Sequence, residues 1–319
     1  ALGCVRCIPS PGLCVWAVEW PGVMSSGHNG CESRRIGGMS NHYDLHSHST
    51  ASDGTLTPAD LVGAAHAAGI RVLALTDHDT TAGIEAASDA AGAAGMKLVA
   101  GVEISVSWQS QTVHILGLNV DPDCAPLQAG LQRLRGFRDW RAEEIGRRLA
   151  RAGIEGACEG ARALARGRIV SRTHFAHYLV AQGRAETVRA VFKRYLVPGK
   201  PGHVPGKWAG LEEALGWIRA AGGLAVIAHP ARYCMTASKL RRLIGEFRVL
   251  GGAGLEVVSG SHTRDNVHAM AAHARKAGLL ASCGSDYHGP ENPWVQLGKL
   301  SGLPAGCRPI WESSQWLLH

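Results

Sequence analysis

From Asn41 onward, apolar residues recur with two alternating periods, and the change of period marks out the elements. Tyr43–Leu45 reads as a short strand. A helix is expected from Thr57-Pro58 through Ala68, because threonine caps well and proline suits the first helical position. Arg71–Thr76 reads as a buried strand, Ala82–Ala94 as a helix closed by Gly95, and Lys97–Ser107 with Thr112–Leu118 as two further strands. Beyond Asp121-Pro122 the pattern changes to long arginine-rich helices, Leu127–Ala152 and Arg172–Ala181, ending in the Pro/Gly-rich stretch Val197–Gly206. Alternation then resumes. Leu211–Ala221, Lys239–Leu250 and Arg264–Ala277 read as helices, and Leu224–Ala228, Gly254–Val258 and Leu279–Cys283 as strands. Strand-helix alternation on both sides of an all-helical middle predicts an α/β fold, a β/α barrel interrupted by an inserted cap. The expected divisions are an irregular N-terminal extension (1–40), the first part of the barrel (41–124), a helical insertion (125–205), and the second part of the barrel with a C-terminal tail (206–319).

Composition adds a core and a charge field. Hydrophobic residues make up 45% and charged residues 18%, enough to bury a large interior. No apolar run approaches the roughly 18 residues of a membrane span, so a water-soluble protein with no membrane partner is expected. The net charge of +7 is unevenly placed: residues 125–205 carry 16 Lys/Arg against 6 Asp/Glu, so the rest of the chain is net acidic. That surplus is either a solvated helical surface or a field that draws in anionic substrates. Of nine cysteines, Cys124, Cys158, Cys234, Cys283 and Cys307 are scattered through a chain too large to need stapling, which points to a reducing cytoplasm. Cys4, Cys7, Cys14 and Cys31 lie in a stretch without clear period, and their spacing fits no regular zinc knuckle.

The candidate chemistry falls at strand ends, where β/α barrels place their active sites. His46 and His48 alternate after the first strand, so their side chains share one face and both imidazoles can reach one cation. Asp53 follows in a loop. His78 ends the second strand, Glu103 lies on the third, His114 on the fourth, and His229-Pro230 ends a later one. Asp286 and His288 close the series with the same skip-one spacing as the opening pair. Any of these histidines alone is more often a structural or surface residue. Burying six histidines and three carboxylates together without cations would be costly, and an imidazole-and-oxygen set without cysteine favours manganese, iron or zinc.

At these residues the chain resembles the polymerase-and-histidinol-phosphatase (PHP) superfamily. The run from Tyr43 to Gly54 looks like its first motif in full. Thr76-Asp77-His78, the His229-Pro230 region and Ser285-Asp286-Tyr287-His288 match three later ones. The helical insertion, with Arg172-Thr173-His174 and Lys200-Pro201-Gly202, looks like the branch holding nucleoside 3′,5′-bisphosphate phosphatases and 5′-to-3′ exoribonucleases. The resemblance implies a distorted seven-stranded β/α barrel and three divalent cations, manganese first, with iron or zinc as the other candidates. It implies a first site at His46, His48, Glu103 and Asp286, a second at Glu103, His114 and His229, and a third at Asp53, His78 and His288.

The expected partner is a phosphorylated nucleotide or short RNA, hydrolysed in line by a hydroxide shared between cations. Arg172 and His174, and more weakly Lys200, are the expected substrate contacts, since a guanidinium fork matches phosphate oxygens. Asp77 is read as orienting His78 or capping a helix, and Trp208 as packing or as a base platform. A phosphatase of another small phosphomonoester such as histidinol phosphate, and a non-catalytic metal-dependent nucleic-acid-binding module, are the alternatives. The complete ligand set argues against the second of these.

Overall fold

Seven strands hydrogen-bond in chain order: β1 (Tyr43–Asp44), β2 (Val72–Leu75), β3 (Lys97–Trp108), β4 (Gln111–Leu118), β5 (Leu224–Ile227), β6 (Gly254–Ser259) and β7 (Leu280–Gly284). The structure is a computed structural model that describes residues 42–233 and 235–316, so the readings made for residues 1–41 and for Cys234 lie outside the described residues. Strands β1–β3 and β5–β7 pair in parallel, whereas β4 runs antiparallel to both neighbours. The reversal is made at Gln109 and Ser110, both at positive φ (45° and 61°), the backbone that a tight two-residue hairpin requires. Past the last strand the sheet meets its own beginning. Leu45 N–H donates to Cys283 O (2.9 Å), Asp286 N–H to His46 O (2.8 Å) and His48 N–H to Tyr287 O (2.9 Å). The result is the expected seven-stranded barrel, nearly closed.

Helices cover the outside. Thr57 caps α1 (Pro58–Ala67) through a 3.1 Å bond to the Asp60 N–H. Gly95, at φ 66°, ends α2 (Ile84–Ala94) in the left-handed turn that glycine adopts without penalty. All four residues of β2 and of β5 are buried, as continuous apolar strands covered on both faces must be.

The basic middle begins with α3 (Ala125–Arg151), 27 residues long. Its first half packs Leu127, Leu131 and Leu134 into the barrel's main apolar cluster. Its second half packs Ala142, Ile145 and Leu149 into a separate cluster with Phe175, Leu179 and Leu196. One stripe thus roots the helical segment on the barrel. Two helices in this segment had no clear sequence signal: α4 (Ala157–Leu164), which starts at Gly156 without a side-chain cap, and the single turn α6 (Val188–Val191). After them, α5 having intervened at Arg172–Ala181, the outer layer is completed by α7 (Leu211–Ala220), α8 (Ala237–Val249) and α9 (Arg264–Ala277). Among the described residues no helix is long and apolar enough to cross a membrane.

Candidate metal centre and adjoining cavity

The extended segment after β1 turns His46 and His48 to one side and Ser47 to the other, where its hydroxyl donates to Ala74 O at 2.7 Å. The two imidazoles meet with Nε2 atoms 3.1 Å apart. Glu103 Oε2, from β3, lies 3.3 Å and 3.2 Å from them, and Asp286 Oδ1, just past β7, lies 3.4 Å and 3.3 Å away. All four donor atoms lie within 4.8 Å of one another, close enough to share one cation.

Around this group the other candidates converge on Glu103 and Asp53. Glu103 Oε1 is 2.8 Å from His114 Nδ1 and 2.9 Å from His229 Nε2, and its Oε2 is 3.0 Å from His78 Nδ1. Asp53 Oδ1 is 3.4 Å from His288 Nε2 and 3.9 Å from His78 Nε2. Three sets of donor atoms are close enough to share an ion: His46, His48, Glu103 and Asp286; His78, Glu103 and His114; His48, Asp53, His78 and His288. Compared with the three sites implied by the resemblance, His78 also faces Glu103, His48 also stands in the Asp53 group, and His229 reaches the cluster through Glu103.

The residues fit cations better than they fit one another. His46 Nδ1 is 3.1 Å from Glu256 Oε1, so a neutral ring keeps its proton there and turns an Nε2 lone pair toward His48 and two carboxylates. Among the described residues, the Nδ1 atoms of His48 and His229 are buried with no hydrogen-bond partner. Buried polar atoms left unsatisfied are costly, and converging lone pairs more so. Backbone strain points to the same place. His229 (φ 28°) and Asp286 (φ 57°) hold left-handed conformations that side chains other than glycine rarely adopt.

In the metal-free protein, protons offset the clustered negative charge. Burial opposes a charge on His48, yet hydrogen bonds to Asp286 and Glu103 push its pKa up to about 10. Burial prevails at His78, whose pKa falls to about 4 despite Glu103 and Asp53. Burial raises the acids, but the surrounding histidines hold Asp53, Glu103 and Asp286 well below the usual carboxylate range. Chelated protein should therefore be most stable near pH ~6.5, the ordinary imidazole value. The His48 contribution is complete below that pH and is lost as pH rises through about 10; the His78 contribution is lost as pH falls through about 4. Thermal unfolding from pH 4 to 10 checks this. A divalent cation should flatten the alkaline limb, and a midpoint that climbs steadily to pH 10 without metal would contradict the assignment.

Beside the cluster opens a cavity of about 340 Å3, lined by Asp53, His78 and Asp286 on one side and by Arg138, Arg141 and Arg172 on the other. Arg138 is tied down, donating to Asp79 Oδ2 (2.7 Å) and Ser105 Oγ (2.8 Å). Arg141 and Arg172 have no carboxylate partner among the described residues. Burial, with Arg172 and Arg138 nearby, lowers the Arg141 pKa to about 9. Trp208 also lines the cavity, its ring beneath Arg138 and Arg141 (5.1 and 5.3 Å) and its Nε1 donating to Thr112 Oγ1 at 3.1 Å.

Neither of the other two expected substrate contacts lines the cavity. His174 is buried behind the start of α5 (Arg172–Ala181), its Nδ1 accepting the Ser171 N–H at 3.0 Å in a capping box. Lys200 is exposed and does not line the cavity. Among the described residues, Asp77 makes no hydrogen bond to a histidine. It accepts from Ser49 N–H (2.8 Å), Ser49 Oγ (2.6 Å) and Ser52 Oγ (2.6 Å), and so fixes the loop that presents Asp53. Sequence reasoning passed over Arg138, Arg141, Arg232 and Glu256. Arg232, two residues past Pro230, donates to Asp286 Oδ2, on the side away from the histidines. A lone acid in the apolar run Leu255-Glu256-Val257-Val258 was a readable signal, whereas Arg138 and Arg141 are hidden among many arginines.

Residues 44–196 match the PHP domain model. A 3′,5′-nucleoside bisphosphate phosphatase of Chromobacterium violaceum is 49% identical over 270 residues, covering 84% of this chain and 95% of the relative. A 5′-3′ exoribonuclease of Haemophilus influenzae is 46% identical over 274 residues, covering 86% and 99%. Among solved structures, an amidohydrolase from Chromobacterium violaceum with bound sulfate and no metal superposes with a TM-score of 0.81 at 49% identity, over 84% of this chain and 94% of that one. With identity of this order over nearly the whole of both relatives, the chain belongs to the PHP domain family.

Proposed function

We propose that this enzyme removes phosphate from nucleoside 3′,5′-bisphosphates and releases nucleotides one at a time from the 5′ end of short phosphorylated RNA. The observation that carries the reading is the shared cavity: a cage of imidazoles and carboxylates opens onto a space lined by guanidinium groups, two of which, Arg141 and Arg172, have no acidic partner among the described residues. A substrate with one phosphate at the cage and another at the arginines would fill both. The names of the two relatives support this class of substrate. At about 340 Å3 the space falls within the roughly 300–1,000 Å3 of small-molecule sites.

His46, His48, Asp53, His78, Glu103, His114, His229, Asp286 and His288 would hold three divalent cations, with manganese the first candidate. Bound there, such ions lower the pKa of water towards about 7 and neutralise phosphoryl oxygens. The chain's own groups do the rest. Asp77 keeps the Asp53 loop in place, and Arg232 holds the outer oxygen of Asp286 so that Oδ1 stays turned to the histidines. Arg141 and Arg172 set the distance between the reacting phosphate and a second one. Residues 125–205 act as the cap that carries this recognition, and free thiols at Cys124, Cys158, Cys283 and Cys307 accord with a cytoplasmic location.

The test is phosphate release across a panel of mononucleotides, nucleoside bisphosphates, histidinol phosphate and short 5′-phosphorylated RNAs. The bisphosphates and RNAs should be preferred. Equal or better turnover of histidinol phosphate would replace the reading with that of a small-phosphomonoester phosphatase, and no hydrolysis of any substrate with manganese supplied would overturn both.

A further inference from the structure

Glu256 is fully buried in the middle of β6, between Leu255 and Val257, on a strand where every residue is buried. A carboxylate in such a place needs partners, and here it has two. Its Oε1 faces His46 Nδ1 at 3.1 Å, and its Oε2 accepts a short hydrogen bond from the backbone N–H of His229. The register of β6 against β7 shifts between Glu256 and Val258, a bulge of the kind that re-aims a side chain. Gly284 leaves the space. A Cβ at that position would lie 2.2 Å from His46 Cβ and 2.8 Å from Glu256 Oε1, so any larger residue would collide with both His46 and the carboxylate.

We infer that Glu256 is a positioning residue that prepares two cation-facing histidines at once: it holds the His46 proton on Nδ1, and it seats His229 in its left-handed backbone. The inference rests on the metal reading given above. The argument is one of donors and acceptors. A neutral imidazole has one N–H, and with Nδ1–H given to Glu256, Nε2 must face Glu103 and Asp286 as a lone pair, the form that binds a cation. The second oxygen secures a residue whose φ of 28° is unfavourable without such a bond. An ionised carboxylate accepts on both oxygens, whereas an amide of the same shape accepts on one and donates from the other. Glu256→Gln must therefore set its NH2 either against the His229 N–H or against His46 Nδ1. The first unseats His229. The second moves the His46 proton to Nε2, facing the cation.

Zinc binding by calorimetry, on protein stripped with chelator, gives one readout. Affinity should fall about ten- to a hundredfold in Glu256→Gln, the usual effect of losing a group that orients a metal-binding histidine. The His46 Nδ1–H proton in the zinc-loaded protein, observed by 15N-histidine NMR and assigned against His46→Ala, gives the other. It should be a slowly exchanging signal in the wild type and be shifted or lost in the variant. A merely structural role would lower the unfolding temperature of the stripped protein and leave that signal and the affinity of the folded fraction unchanged. As a second variant, Glu256→Gln in a His46→Ala background should cost less zinc affinity than it does alone, because one of its two routes is gone. Full additivity, or unchanged affinity in the single variant, overturns the inference while the metal reading stands. Wild-type protein that binds no zinc and no manganese overturns both.

Discussion

His48→Ala should abolish turnover and release the cation held with His46, Glu103 and Asp286, while the protein remains folded. The expected loss exceeds the roughly 10–100-fold that follows removal of an outer orienting group, because His48 Nε2 itself stands within 3.1–3.3 Å of three other donor atoms. Its removal leaves His46 Nε2, Glu103 Oε2 and Asp286 Oδ1 converging on an incomplete cage. The chain should survive because the His48 backbone is anchored independently, its N–H donating to Tyr287 O at 2.9 Å, with neighbouring Ser49 bound to Asp77. Elemental analysis and phosphate release, measured on the same preparation, test the two halves of this expectation. Wild-type protein should contain two to three transition-metal ions and lose activity to a strong chelator, then recover when manganese is restored; the variant should not recover. Near-normal turnover by His48→Ala, or full wild-type activity with no stoichiometric metal, would mean that the reaction takes place elsewhere.

Most residues of this cage were legible because they follow a strand end, His46 and His48 after β1 and Asp286 after β7, whereas Glu103 lies within β3. His46 and His48 needed only their spacing, and Asp286 and His288 repeated it. The helix ends at Thr57 and Gly95 were equally plain, since cap chemistry is local. What escaped was whatever depends on distant pairing. The β3–β4 hairpin inverts the sheet direction, and nothing in either strand announces that β4 will also run antiparallel to β5 more than a hundred residues later. Glu256 acts across 210 residues of sequence, so nothing near it in the chain identifies its partner, and it was passed over. His174 was expected as a phosphate contact beside Arg172, and its Nδ1 also closes a capping box with Ser171, a role that a histidine three residues past a serine at a helix start can take. Asp77 likewise sat next to a histidine in sequence yet bonds to a loop 25 to 28 residues away. Adjacency along the chain is weak evidence of contact for polar side chains with several partners in reach.

Arg172→Ala should separate recognition from chemistry. The guanidinium lies at the start of α5, packed over the Phe192 ring at 5.5 Å, and lines the cavity without an acidic partner among the described residues. Burial first, then the nearby Arg138, lowers its pKa, so a phosphate placed beside it would offset an otherwise unfavourable charge. A charge-assisted hydrogen bond to a phosphate contributes about 1.5–3 kcal/mol, so kcat/KM for a nucleoside bisphosphate should fall roughly ten- to more than a hundredfold. Metal content should be unchanged, because Arg172 touches none of the cage atoms. A small activated phosphodiester with no second phosphate should lose far less, since nothing in the variant alters the cage that faces it. Arg141→Ala supplies the internal comparison: its Nε and Nη2 both donate to Val204 O, at 3.1 and 2.9 Å, so its removal also loosens the loop after the helical segment and should affect both substrates to some degree. Equal losses on the two substrates in Arg172→Ala would place this guanidinium at the reacting phosphoryl group. No loss on either would reduce it to a buried charge with no part in recognition, and the second-phosphate reading would then have to rest on Arg141 alone.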